Sequence, residues 1–266
     1  MDIIVVFGFL SAILIGISLG LIGGGGSIIT VPVLVYLMSI SPITATAYSL
    51  FVVGSASLVG SIKYFQKGLI HIKTALIFGA PAIATVFLMR KIIVPLIPME
   101  LFEIGDFIFT KNMAIMVLFS IAMIAAATSM IRGRKDPGEF KEPVNLNYPL
   151  ILLFGMLVGS FTGLVGAGGG FLIIPALIFL AKLPMKQAVG TSLLIIASNS
   201  LIGFLGDVSN REIDWRFLLL FTSIAVGGIF IGSALSNKIE GAKLKPAFGW
   251  FVLVMGLFIL GKSLIN

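Results

Sequence analysis

Residues 20–34 read GLIGGGGSIITVPVL, and residues 163–177 read GLVGAGGGFLIIPAL. At a constant separation of 143 positions, Gly20, Leu21, Gly23, Gly25, Gly26, Pro32 and Leu34 recur in the second stretch. Two unrelated apolar helices would match scattered leucines; they would not match a glycine cluster together with the proline that follows it. The register holds outward from the cluster. Gly16 meets Gly159, Ser49 meets Ser192, Ser55 meets Ser198, Ser57 meets Ser200 and Gly60 meets Gly203, and further on Ile70 meets Ile213 and Phe78 meets Phe221. The pattern is an internal duplication, with a first membrane repeat over 1–133, a linker over 134–147 and a second membrane repeat over 148–266.

Both copies lie in sequence suited to lipid. With 58% hydrophobic residues, 11% charged residues and a mean hydropathy of +1.15, the chain is too apolar to be covered by a water-soluble surface. Eight apolar runs approach the length that crosses a bilayer as a helix: 3–22, 43–62, 74–94, 113–131, 148–165, 188–205, 217–235 and 247–264. Two shorter runs, 27–38 and 170–181, each follow a glycine cluster. Strand-type alternation does not stand out and the runs exceed the length of a barrel strand, so the expected fold is an all-α, polytopic transmembrane bundle. The N-terminus enters apolar sequence without a basic leader, so the first run is expected to be a retained helix. Cysteine is absent, which removes disulfides, thiolate metal sites and sulfur transfer through a protein thiol.

The net charge of +7 does not point to nucleic acid, because the basic residues are dispersed through loops; it is read as topology and attraction to anionic lipid. The polar stretch RGRKDPGEFKEPVNLN, 132–147, carries Arg132, Arg134, Lys135 and Lys141 and is expected on the cytoplasmic side. Lys63, Lys67 and Lys73 fall on its side, against Arg90, Lys91 and Lys111 on the other. In the second half the bias reverses: Lys182, Lys186, Lys238, Lys243 and Lys245 oppose Arg211, Arg216 and Lys262. Opposite biases favour inverted repeats with both termini outside; four simple spans per half would instead give parallel repeats with both termini inside. The insertion 96–112 has no counterpart in the second half, and Glu100, Glu103 and Asp106 at every third position predict an amphipathic helix at the interface.

Four successive glycines, Gly23, Gly24, Gly25 and Gly26, do not sustain a helix. A break is expected there, with a new helix from about Ser27. In the second copy the break is expected at Gly166, Ala167, Gly168, Gly169 and Gly170, with Pro175 where the first has Pro32. A break at membrane depth is tolerated only where it is buried in protein or lines a watery cavity. Two converging helix starts would attract an anion without basic side chains. The alternative is close packing of helices through small residues. GGGGSIIT lacks the lysine of a nucleotide-binding loop.

The two glycine stretches, together with Ile213-Asp214-Trp215-Arg216 after the second, resemble the TauE/SafE sulfite exporter family, also called the toluenesulfonate uptake permease family. The resemblance spans nearly the whole chain. It implies a prokaryotic secondary transporter of sulfite, a sulfonate or a related small anion. The first half departs from the pattern, with Ile70-His71-Ile72-Lys73 in place of IDWR.

Polar residues in the spans form a second layer of candidates. Ser49, Thr191, Ser192 and Asn199 are expected to line the substrate path; Ser192 and Asn199, seven apart, share a helix face. Packing is the competing role for each serine. Asn199 carries more weight, since a buried amide must be satisfied on both sides. His71 is read as a loop residue, Asp207 and Asp214 as solvated loop or helix-start charges, and Lys63 as a snorkelling lysine. There is no HExxH, no cysteine and a single histidine, so an intramembrane enzyme is not expected, and no cofactor or metal is called for. The reading is a transporter of a small sulfur-containing or organic anion, working by alternating access in the cytoplasmic membrane, with the lipid bilayer and the anion as partners and a homodimer as one assembly open to it. A passive anion channel and a non-transporting scaffold are the alternatives.

Overall fold

A computed structural model describes residues 3–22, 26–104, 107–131, 148–210, 212–235 and 241–265. The chain folds as a helical bundle. Helix α1 spans Ile3–Ile22; α2 spans Gly26–Pro32 and passes into a π-helical turn, Val33–Leu37; α3 spans Pro42–Gln66. Helix α4, Ile72–Leu88, continues through a π-helical segment, Met89–Ile93, into a last turn, α5, Val94–Leu96. Strands β1, Glu100–Ile104, and β2, Phe107–Thr110, precede α6, Lys111–Ile131. The second half comprises α7, Tyr148–Val165; α8, Gly170–Phe179; α9, Met185–Val208; α10, Trp215–Leu235; and α11, Gly241–Ile265.

Five helices among the described residues are long and apolar enough to cross a bilayer: 42–66, 72–96, 111–128, 185–208 and 215–235. Apolar stretches Val6–Leu21, Pro149–Val165 and Gly249–Ser263 lie in α1, α7 and α11. Each apolar run in the sequence is therefore a helix, and the two short runs after the glycine clusters form α2 with its π turn and α8. Exposed Phe7, Leu14, Leu76, Leu219, Phe230 and Trp250 face outward, as lipid-facing surfaces require.

Helices α3 and α9 occupy the centre and pack on each other, with 72% of the most apolar window buried in each, against 33% for α4 and 39% for α10. Gly54 faces Leu201 and Gly60 faces Leu193, so the two run antiparallel. Around them, α1 pairs with α10 and α4 with α7. Gly16 sits on the backbone of Ala225 and Gly228, and Gly20 on that of Ile229 and Gly232, so α1 and α10 run parallel with glycine against glycine. Gly155 sits on Phe78, Gly159 on Ala82 and Gly163 on Met89, so α4 and α7 also run parallel. These glycines bring helix backbones into contact, which is the small-residue packing that drives helix association in lipid. Helices α6 and α11 form a further pair.

The insertion is not the expected amphipathic helix. It is an antiparallel hairpin in which Phe102 pairs with Phe109 and Glu103 with Ile108, and the Phe102 and Phe109 rings stack at 4.7 Å. Strand β2, Phe-Ile-Phe-Thr, is wholly aromatic or β-branched and β1 contributes Phe102 and Ile104, and cross-strand ring pairs stabilise such a ladder. Behind the hairpin, the Lys111 ammonium, 4% exposed, donates to the carbonyl oxygens of Val94 and, at 3.0 Å, Ile97. It thereby caps the end of the long helix that began at Ile72.

Candidate functional site

The second glycine cluster breaks the helix. Helix α7 closes with the Gly166 N–H donating to the Thr162 carbonyl at 2.8 Å. The backbone then turns left-handed, with φ of +72° at Gly166, +64° at Gly168 and +70° at Gly169. That conformation strains any residue with a Cβ. Gly169 is the N-cap of α8, and its carbonyl accepts from the Leu172 and Ile173 N–H groups at 2.9 and 3.0 Å. Gly166, Ala167, Gly168, Gly169 and Gly170 are all buried.

The break lies along the seam between α3 and α9. A Cβ at Gly166 would collide with Thr46 and stand 2.6 Å from Arg90 Nη2; one at Gly168 would stand 2.8 Å from Val53 Cγ1 and 3.2 Å from Ser200 Oγ; one at Gly169 would strike Thr162 Oγ1. On α3, Thr46, Ser49, Val53 and Ser57 follow at spacings of three and four and form one stripe. On α9, Ser192, Ile196, Asn199 with Ser200, Gly203 and Asp207 form another.

These stripes are polar where lipid-embedded helices are usually apolar. Ser49, Ser57, Asn199 and Ser200 are 0% exposed and Thr162 is 1% exposed. The hydroxyls of Ser49, Ser57, Ser200 and Thr162, and both amide atoms of Asn199, have no protein partner among the described residues. Each such group costs on the order of 1–3 kcal/mol relative to a satisfied one. Such groups are rare in folded proteins, and each calls for an explanation.

A charged pair stands at one end of the seam. Arg90, 0% exposed, and Asp207, 1% exposed, meet at 3.1 Å between Nη1 and Oδ2. The same Nη1 donates to Thr46 Oγ1 at 3.1 Å, and Thr46 in turn donates to the Ile43 carbonyl at 2.8 Å. This corrects two expectations: Arg90 is not a loop charge, and Asp207 is not a solvated loop or helix-start charge. Both are interior because Arg90 lies in the π-helical segment Met89–Ile93, packed on α9 at Gly206, where a Cβ would stand 3.0 Å from Arg90 Cβ. One signal was available in the sequence: Asp207 follows Ser200 by seven residues and so falls on the same face of α9.

Residues 8–259 match the profile of a family described as Sulfite exporter TauE/SafE. The chain belongs to the TauE/SafE family. A probable membrane transporter protein of Xylella fastidiosa is 29% identical over 255 residues, covering 94% of this chain and 92% of that protein. The probable membrane transporter protein YdhB of Bacillus subtilis is 25% identical over 247 residues, covering 93% and 96%. No solved structure gives a significant match. The chain is thus a multi-pass membrane protein of a transporter family.

The other candidate residues of this TauE/SafE protein fall elsewhere. Gly23, Gly24 and Gly25 lie outside the described residues. Gly26 and Ser27 open α2, which folds back on α1: a Cβ at Gly26 would stand 2.5 Å from the Ile15 carbonyl and from Ser18 Oγ. Ile28 and Val31 of α2 share an apolar cluster with Val165 and Ala167, with Phe119 and Met123 of α6 and with Val252 and Ile259 of α11, so the neighbourhoods of the two clusters adjoin. Thr191 and Ser192 are at the opposite end of α9 from Asp207. Ser192 donates to its own helix at Val189 O, 2.8 Å, while Thr191 Oγ1 accepts the His71 N–H at 2.9 Å.

The His71 contact has a counterpart in the IDWR segment of the TauE/SafE resemblance. The Asp214 N–H donates to the Tyr48 hydroxyl at 2.8 Å, and Asp214 Oδ1 accepts from the Phe217 N–H at 3.0 Å at the start of α10. His71 does the same for α4, its ring accepting from the Thr74 N–H at 3.3 Å. Both residues are helix-start caps, which for Asp214 is one of the roles read from the sequence and for His71 replaces the loop residue expected there.

Proposed function

We propose that the protein is a secondary transporter of a small sulfur-containing or organic anion such as sulfite or a sulfonate, moved by alternating access past the Gly166–Gly170 break. The observation that carries this reading is the set of buried polar atoms on α3, α7 and α9 around that break that have no protein partner among the described residues. A broken helix near the middle of a bundle, faced by polar side chains from a second half of the chain, is the arrangement in which transporters hold substrate. The family description names sulfite export, which makes sulfite the first anion to try.

Inverted repeats fit the arrangement of helices. Positions 143 apart, such as Gly54 with Ala197 and Ser57 with Ser200, belong to α3 and α9, which run antiparallel. The cap pairs add a second support. His71 and Asp214 are 143 apart, and so are their partners Thr191 and Tyr48, so each half ties the start of one helix to the central helix of the other. Reciprocal ties of this kind are expected of two copies related by a two-fold axis in the membrane plane. With the 132–147 linker cytoplasmic by its basic residues, both termini are outside and the protein resides in a prokaryotic cytoplasmic membrane. Ser49, Asn199, Ser200 and Thr162 form the substrate path.

The test is flux in proteoliposomes loaded with sulfite under an imposed pH gradient, with thiosulfate, sulfonates, sulfate and acetate as competitors. Saturable movement that collapses with the gradient is expected. Saturable movement indifferent to the gradient would indicate a passive pathway, and no movement of any anion from folded protein would return the chain to a scaffold.

A further inference from the structure

The Arg90–Asp207 pair has no part in the reading drawn from the sequence, and its chemistry is out of place in a purely structural role. Two charges buried in membrane-spanning helices are costly, and an apolar pair of the same volume generally serves stability as well or better. The pair joins elements distant in the chain, the π-helical turn of Met89–Ile93 and the end of α9. π-helical turns inside α-helices frequently mark functional positions. The guanidinium also lies against the break itself, since Nη2 stands 2.6 Å from where a Cβ at Gly166 would be. Only a glycine in that left-handed position leaves room for it.

We propose that Arg90 is an exchangeable oxyanion site in which Asp207 is the resident stand-in for substrate. An arriving sulfite or sulfonate takes the place of the Asp207 carboxylate on the guanidinium, beside the Thr46 hydroxyl and the backbone of Gly166. A carboxylate and a sulfur oxyanion present the same feature to arginine, two or more oxygens that match the planar fork. The buried hydroxyls of Ser200 and Ser49 and the Asn199 amide continue the path from this point along the seam. Selectivity follows: anions with two oxygens on one centre are accepted, and spherical halides, which do not match the fork, are not. The proposal rests on the anion-transport reading above and deepens it by naming the group that receives the charge.

The experiment uses purified full-length protein and sulfite as the probe, with thermal unfolding in detergent and flux in proteoliposomes read on the same preparations. Arg90→Gln is expected to raise the half-saturating sulfite concentration on the order of 30-fold or more, the usual consequence of truncating a buried charge partner. Asp207→Asn is expected to do the reverse. Without its stand-in, the variant is less stable when empty, and sulfite raises its unfolding midpoint by more than it raises that of wild type. A structural pair predicts instead that both single variants are damaged alike, that sulfite does not rescue Asp207→Asn, and that Arg90→Gln with Asp207→Asn regains wild-type flux. Either that rescue by the double variant or equal sulfite responses in wild type and Asp207→Asn would overturn the proposal. Wild type that responds to no anion in either assay would defeat the transport reading and this one with it, whereas wild-type flux together with a fully active double variant would defeat this one alone.

Discussion

At the residue scale, the break is defined by what cannot be added to it. Gly166→Ala forces a Cβ into Thr46 in a left-handed conformation, a backbone penalty of about 1–2 kcal/mol before the collision is counted. The variant is expected to unfold at a lower temperature and to lose flux, and a thermal scan beside a flux assay checks both. Ser200→Ala and Asn199→Leu point the other way. Each removes buried polar atoms that have no protein partner among the described residues, so stability should hold or rise by about 1 kcal/mol while flux falls. A midpoint lowered by either substitution would show that the side chain is anchored after all. The glycine cluster and Asn199 were legible in the sequence because their cost is local: a helix does not tolerate the one, and lipid does not tolerate the other unpaired. The pairing of Arg90 with Asp207 was not. Each stands near the end of an apolar run, where charges are usually solvated, and the partners lie 117 positions apart, a separation that no helical or strand period connects.

At the element scale, the helices follow from hydropathy and the caps from chemistry. The Asp214 carboxylate and the His71 ring each accept a backbone N–H at a helix start, so Asp214→Ala and His71→Ala should each cost about 1 kcal/mol. Denaturation midpoints in detergent test the magnitude, and flux per folded molecule should be retained; a loss of flux at unchanged stability would give Asp214 a role in transport. The hairpin shows how a spacing misleads. Glu100, Glu103 and Asp106 fit a helix face, yet the same segment holds five and four strand residues, Glu100–Ile104 and Phe107–Thr110, on either side of Gly105-Asp106. A glycine-aspartate pair between two β-rich runs is a hairpin signal, and here it outweighed the acidic periodicity. Lys111 then holds this insertion to the end of the long helix. Lys111→Met should therefore loosen the hairpin, seen as faster amide exchange over 100–110, and leave the α3–α9 seam unchanged.

At the scale of the whole molecule, the account requires the two halves to be inverted. The chain has no cysteine, so single introduced cysteines report membrane sidedness without background. Lys67 follows α3 and Asn210 follows α9, both exposed. Lys67→Cys should be labelled from the cytoplasmic side and Asn210→Cys from the outside; labelling of both from one side would mean parallel repeats. Family membership carries the transporter class, and the antiparallel central helices carry the frame, but the central claim is that the polar seam at the second break is the path of the anion. The measurement that tests it most directly is sulfite flux through the folded triple variant Ser49→Ala, Asn199→Leu, Ser200→Ala in proteoliposomes, normalised to reconstituted protein. The account predicts an intact bundle with flux at the level of empty vesicles. Wild-type flux through that variant would contradict it and place the path elsewhere in the bundle.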